Sequence, residues 1–177
     1  MSKNILLVGS QGYLGSRLTD YLQEYGYECA GADVGFFQYG VLYYPNPVTM
    51  LNKEARTLTE KDIEGFDVVL LLACISNDPF GNLTSETIYD PTREYAIRIA
   101  KMCKKLGVRY IFPSSCSVYG VGGEEYLTES TETHPQTFYS LNKLQIEQDL
   151  SLISSKSFSP IALRFSTIFG KFLRDPC

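Results

Sequence analysis

The feature that most constrains this chain is a glycine triplet at its start, Gly9-Ser10-Gln11-Gly12-Tyr13-Leu14-Gly15, spaced G-x-x-G-x-x-G. It lies between an apolar stretch, Asn4 to Val8, and a stretch with helical periodicity, Tyr13 to Tyr25. A strand that turns sharply into a helix through glycines fits one job well. The first glycine permits the turn, the second lets a pyrophosphate approach the backbone, and the third lets the helix pack closely on the sheet. The helix N-terminus then faces the anion with N–H groups that have no intrahelical partner.

The rest of the chain repeats the strand-then-helix rhythm expected of a parallel α/β sheet. In the first helix Leu14, Leu18, Tyr21 and Leu22 are predicted to share the buried face, and Gly26 ends it. Glu28 to Ala32 reads as a second strand, followed by an irregular segment from Asp33 to Leu51 and a short strand near Glu54 to Leu58. Asp67 to Ala73 is apolar enough for a central strand buried on both faces. Thr92 to Leu106 has helical spacing in Tyr95, Ile99, Met102 and Leu106. Arg109 to Pro113 and Pro160 to Phe165 read as strands, and Phe138 to Leu152 as a helix. The expectation is an α/β fold, a Rossmann doubly wound parallel sheet with helices on both faces. It occupies residues 1–170, with 171–177 as the start of a substrate-binding region that is largely absent.

With 177 residues, 44% hydrophobic, the chain has enough apolar mass for one domain core. A net charge of −4 without a basic run argues against nucleic acid as a partner. The longest apolar run, Val68 to Ile75, falls short of the roughly 18 residues that span a bilayer, and Ile5 to Val8 is too short for a signal sequence. The cytoplasm is therefore the expected compartment. Five cysteines without paired spacing, and one histidine, His134, suggest neither a disulfide framework nor a zinc site.

Three further features point to chemistry. Asp33 closes the second strand about twenty residues past the glycine loop, where a carboxylate accepts hydrogen bonds from a ribose 2′-OH and repels the extra phosphate of NADP. Tyr139 and Lys143 form a Y-x-x-x-K, one helical turn apart on a shared face. A lysine ammonium beside a phenol lowers its pKa from near 10, so that it can exchange protons with an alcohol or a carbonyl oxygen. Ser114-Ser115-Cys116-Ser117-Val118-Tyr119-Gly120 follows the strand 109–113, at the carboxyl edge where doubly wound sheets bind ligands, and a hydroxyl there can polarise a substrate oxygen.

Taken with Leu71-Leu72-Ala73-Cys74 and Leu163-Arg164-Phe165-Ser166-Thr167-Ile168-Phe169-Gly170, these segments resemble the extended short-chain dehydrogenase/reductase family, in particular its NAD-dependent sugar epimerase/dehydratase group. The resemblance implies Ser115, Tyr139 and Lys143 as the catalytic set, with Tyr139 the acid/base. It implies NAD as cofactor, lined by Gly9, Gln11, Gly12, Tyr13, Leu14, Gly15, Asp33, Glu54, Leu72, Ala73, Cys74, Ser114, Tyr139, Lys143 and Phe165, with Glu54 at the adenine. It further implies a nucleotide-sugar substrate and a homodimer through helices 92–106 and 138–152. Thr92 stands where many relatives carry an Asn. Cys116 and Ser117 replace the Asp-Glu pair of the dehydratases, which disfavours dehydration. Epimerisation, keto-sugar reduction and a non-catalytic dinucleotide-binding module remain as readings.

Overall fold

The computed structural model describes residues 3–36, 46–74, 89–123 and 126–168. Six parallel strands form one sheet: β1 (Asn4–Val8), β2 (Glu28–Ala32), β3 (Thr49–Leu51), β4 (Val68–Leu71), β5 (Arg109–Ser115) and β6 (Ile161–Phe165). Their order is β3-β2-β1-β4-β5-β6. The chain runs outward from β1 to β3, then returns to the other side of β1. The crevice at this reversal, between the carboxyl ends of β1 and β4, is where open α/β sheets bind ligands. The expected doubly wound fold is therefore present.

Alternation along the strands divides the core between the two faces of the sheet. Leu6, Val8, Val69, Leu71, Tyr110 and Phe112 point to one face. There they meet Ala96, Ile99 and Cys103 of α3 (Asp90–Leu106) and Ile146 and Leu150 of α4 (Phe138–Ile153). Ile5, Leu7 and Val68 point to the other face, against Leu18 and Leu22 of α1 (Tyr13–Glu24). A one-turn helix, α2 (Glu60–Ile63), starts at a Thr59–Asp62 capping box and carries the fully buried Ile63.

Two expectations are corrected. The strand predicted near Glu54 to Leu58 is a 3₁₀ turn over Ala55–Thr57, and the strand beside β2 is Thr49–Leu51. Ala55 and Leu58 are the buried residues there, three apart, which is the repeat of a 3₁₀ turn and not of a strand. Arg98 of α3 fastens this turn through the carbonyls of Leu58 (2.6 Å), Ala55 (2.9 Å) and Arg56 (2.9 Å). Tyr21 does not share the buried face of α1. It is 51% exposed, and the buried positions are Gly15, Ser16, Thr19 and Asp20. Only the first turn is close to the glycine loop: at Gly15 the Gly9 carbonyl leaves no room for a side chain, while Leu18 and Leu22 still pack on the sheet.

Smaller boundary differences have local causes. α3 begins at Asp90 with Pro91 in its first turn, where a missing N–H costs nothing. β5 runs on to Ser115 because β6 pairs with it as far as Phe165. On β6, Ile161 and Leu163 remain exposed. Residues 37–45 of the expected irregular segment and the expected terminal region 171–177 lie outside the described residues, as do Phe169 and Gly170. Among the described residues no helix is long and apolar enough to cross a membrane.

Burial shifts several core groups, and this sets a pH limit. Desolvation pushes the Cys103 thiol from 9.0 and the Tyr95 phenol from 10.0 up to about 12 each, and raises Tyr110 well above 10.0. In the unfolded chain these groups ionise first, so stability is whole below pH 9 and declines as pH climbs toward 12. Thermal melting between pH 7 and 11 should show a falling midpoint above pH 9, and Tyr110→Phe should flatten the decline above pH 10.

Candidate active site

The glycine loop is built by contact. Gly9 has φ +93°, and a Cβ on it would sit 2.5 Å from the Ala73 backbone nitrogen. A Cβ on Gly15 would overlap the Gly9 carbonyl oxygen. Any larger residue at either position would push the helix off the loop or the loop off β4. Gly12 differs: an added Cβ would meet only the Gly9 oxygen, at 3.5 Å. Its bareness is not required by packing and leaves backbone open to a ligand. Gly12 is also the residue preceding α1, and no side chain caps that helix end.

A cleft of about 440 Å³ opens here, over the carboxyl ends of β1, β2 and β4. Of the residues implied by sequence, Gly9, Gly12, Asp33, Glu54, Leu72, Ala73 and Cys74 line it. Gln11 contributes its backbone, donating N–H to Asp33 Oδ2 at 2.9 Å, while Asp33 Oδ1 accepts from Gly35 N at 2.9 Å. Asp33 thus ties the glycine loop to the end of β2 and keeps lone pairs for a further donor. Gly15 and Leu14 sit behind the loop, and Tyr13 is 55% exposed beside it. Glu54 carries an ion pair with Arg56 at 2.7 Å.

Sequence reasoning missed several lining residues, among them Phe36, Lys53, Arg56 and Tyr95. Tyr95 donates its hydroxyl to the Ala73 carbonyl at 2.8 Å and receives a hydrogen bond from Thr92. It fixes the end of β4 from α3. A tyrosine at helical spacing reads as core, and only the sheet order puts its hydroxyl at the crevice.

Ser115, Tyr139 and Lys143 lie together outside the lining of this cleft and adjoin it at Cys74. α4 starts at a capping box between Thr137 and Ser140, which places Tyr139 in the first turn with Lys143 one turn on. Lys143 is 2% exposed. Its ammonium donates to the Pro113 carbonyl at 2.7 Å and to Cys74 Sγ at 3.2 Å, and lies 5.5 Å from the centre of the Tyr139 ring. Ser115 ends β5 and caps the 3₁₀ turn Cys116–Tyr119. Its oxygen accepts from Ser117 N (3.2 Å) and Ser117 Oγ (2.9 Å), which leaves its own proton for the Tyr139 phenol. Asn142, between the two α4 residues, is buried and holds the Tyr89 carbonyl at 2.7 Å.

Two site expectations need restating. The sequence reading has Lys143 lowering the Tyr139 pKa. In the structure burial dominates and raises it, with the Ser115 hydrogen bond opposing. Ser114, expected at the cofactor, is 3% exposed, and its hydroxyl is committed to the Glu147 carboxylate. Phe165 is partly buried and pairs with Ser115 across β5 and β6.

A doubly wound sheet with a glycine turn after β1, a carboxylate after β2 and a cleft over the strand ends defines a class: a Rossmann domain of the dinucleotide-binding kind. Residues 5–176 match the NAD-dependent epimerase/dehydratase family, and the chain belongs to it. Solved structures agree on the fold. A UDP-N-acetylglucosamine 4-epimerase from Methanobrevibacter ruminantium M1 is similar at TM-score 0.80 and 23% identity, over 92% of this chain and 54% of that one. An NAD-dependent NDP-hexosamine 5,6-dehydratase, TunA, involved in tunicamycin biosynthesis, gives 0.78 and 22%, over 90% and 52%. A UDP-glucose 4-epimerase from Brucella ovis, in complex with NAD, gives 0.78 and 21%, over 92% and 51%. The chain spans about half the length of these structures.

The Ser115 bond makes a checkable claim about Tyr139. Its phenol should titrate above the ordinary tyrosine range, and Ser115→Ala should move it higher still, since the bond lost is the one that favours ionisation. Carbon-13 NMR of ring-labelled tyrosine, assigned with Tyr139→Phe, reads both shifts; a downward shift in Ser115→Ala would contradict the geometry.

Proposed function

We propose that this chain is the NAD-binding part of a nucleotide-sugar epimerase that works by hydride transfer through a transient keto-sugar, with Tyr139 as acid/base. The observation that carries the reading is the contact between Ser115 and Tyr139, beside the buried ammonium of Lys143, which reaches the glycine-loop cleft at Cys74. The residues fit the cofactor. Gly12 leaves backbone bare for the pyrophosphate at the start of α1. Asp33 offers acceptors to the adenosine ribose. Glu54 is assigned to the adenine end, Ala73 and Cys74 to the middle, and Lys143 to the nicotinamide ribose.

When bound, NAD supplies a hydride acceptor and then a hydride donor. The chain supplies the rest. Ser115 turns its single proton from the Tyr139 phenol to the reacting sugar oxygen. Tyr139 takes the hydroxyl proton as the carbon is oxidised, and gives it back when hydride returns to the opposite face. Lys143 favours the ionised phenol against the burial that opposes it. Elimination of water is disfavoured, because the two positions after Ser115 hold Cys116 and Ser117, neither a carboxylate, and the Ser117 hydroxyl is already donated to Ser115. The reading places the enzyme in the cytoplasm.

The test is to incubate the chain with NAD and UDP- or TDP-sugars, following sugar stereochemistry by proton NMR and NADH by absorbance. An epimer that accumulates without net NADH, and vanishes at least about a hundredfold in Tyr139→Phe, supports the proposal. Stoichiometric NADH with no epimer points to a dehydrogenase or reductase, and NAD binding without turnover to a binding module; either overturns it. NAD should bind more tightly than NADP, and Asp33→Asn, which keeps an oxygen for Gln11 N but removes the charge, should narrow the gap. Equal affinities in the unmodified chain would refute the role given to Asp33.

We also infer a homodimer through helices 92–106 and 138–152. They pack side by side on one face of the sheet, joined by the Arg93–Asp149 pair, and an outer groove of about 840 Å³ along α3 is lined in part by the half-buried Ile97 and Met102. Light scattering should give twice the chain mass, and Ile97→Glu with Met102→Glu should halve it. A monomeric unmodified chain would end this inference.

A further inference from the structure

Tyr139, Lys143 and Glu147 follow one another at intervals of four along α4, so they form a single stripe. Each grips the end of β5. Tyr139 meets Ser115, Lys143 meets the Pro113 carbonyl at 2.7 Å, and Glu147 accepts the Ser114 hydroxyl. The third rung has no place in the chemistry described above, yet it is the most heavily bonded. Both Glu147 oxygens take donors from Arg164: Nε at 3.1 Å to each, and Nη2 at 2.6 Å to Oε2. The two side chains are 19% and 12% exposed, so the pair is screened little by solvent.

Arg164 extends this contact beyond α4. It lies on β6 in register with Ser114. Its Nη1 donates to the Tyr119 hydroxyl at 2.9 Å and to the Glu129 carbonyl at 3.3 Å, and its guanidinium sits 4.9 Å from the Tyr119 ring centre. Tyr119 is the last residue of the 3₁₀ turn that Ser115 caps, and passes its own proton to the Thr128 carbonyl at 2.8 Å. One guanidinium therefore fixes both sides of Ser115: the residue before it through Glu147, and the turn after it through Tyr119. The same carboxylate belongs to the helix that carries Tyr139.

We infer that Glu147 and Arg164 are positioning residues, a part-buried ion pair that sets the Ser115–Tyr139 contact by locking α4 to the end of β5 and to the turn behind it. The inference rests on the proposed roles of Ser115 and Tyr139. A planar, five-donor guanidinium is needed for this, because it must serve a carboxylate with one edge and a phenol with the other. A lysine could serve one of them only.

The alternative is that the pair merely stabilises the fold. Replacing a buried ion pair with apolar residues of similar volume is often neutral for stability, so the double variant Glu147→Leu/Arg164→Met separates the two roles. Arg164→Lys, which keeps a charge for Glu147, is the conservative companion should the double variant fold poorly. Both are measured in the full chain with three readouts: thermal midpoint, kcat against KM for the nucleotide sugar, and the ring carbon-13 titration of Tyr139. A positioning role predicts kcat at least about tenfold lower with KM within about threefold, as expected for a misplaced reacting group, and a Tyr139 titration moved to higher pH as its Ser115 bond is lost. Glu147→Gln should move both readouts the same way. A folded variant with native kcat and an unmoved Tyr139 titration would overturn the inference. Should the unmodified chain turn over no sugar, the reading of function fails, while the Tyr139 titration still decides whether the pair positions the phenol.

Discussion

The structure depends on a close backbone approach at the start of the chain. Gly15 of α1 lies against the Gly9 carbonyl, and Gly9 lies against Ala73 at the end of β4, with no room for a Cβ at either point. This stacks three backbone segments at the place where the sheet reverses direction. It brings the start of α1, the end of β2 and the end of β4 to a common rim. The cleft exists because these segments touch, and its floor is backbone because side chains do not fit. Packing of this kind is sensitive to single atoms, which explains why α1 meets the loop at Gly15 and Ser16, while Leu18 and Leu22 pack on the sheet one turn further on.

At the other end of the cleft the problem is electrostatic. A fully buried ammonium needs acceptors, and Lys143 finds the Pro113 carbonyl and the Cys74 sulfur. Both lie at strand ends on the crevice, so satisfying the lysine also fixes its place beside Tyr139. The phenol is partly buried and its ionisation is opposed, while Ser115 holds the one hydrogen bond that favours it. The two ends are joined by the segment that follows β4, Leu72 to Cys74, which runs from the glycine loop to the Lys143 ammonium, and Tyr95 braces it through Ala73.

Much of this is legible in the sequence because the signals are local. The glycine spacing, the apolar run of β4 and the four-residue interval from Tyr139 to Lys143 each name an element and a face without reference to anything distant. What is not legible depends on long-range contact. The three residues of β3 have no strand pattern of their own and are defined by pairing with β2. Ala55 and Leu58 suggest apolar alternation until their spacing of three is noticed. Ser114 and Ser115 are neighbours of the same type, and only the pleat of β5 decides that one turns to Glu147 and the other to Tyr139. The sign of the Tyr139 shift is hidden too, because the spacing reveals the lysine but not the burial that raises the phenol.

The central claim is that one dinucleotide spans this cleft, with its pyrophosphate on the glycine loop and its nicotinamide beside Ser115, Tyr139 and Lys143. Intermolecular nuclear Overhauser effects between bound NAD and the isotope-labelled chain test it most directly. The account predicts cross-peaks from the nicotinamide ring protons to the Tyr139 ring, and from the adenine protons to residues beside Asp33 and Glu54. Cross-peaks in the reverse sense, or confined to the outer surface of α3, would contradict it, as would the absence of any binding at millimolar NAD.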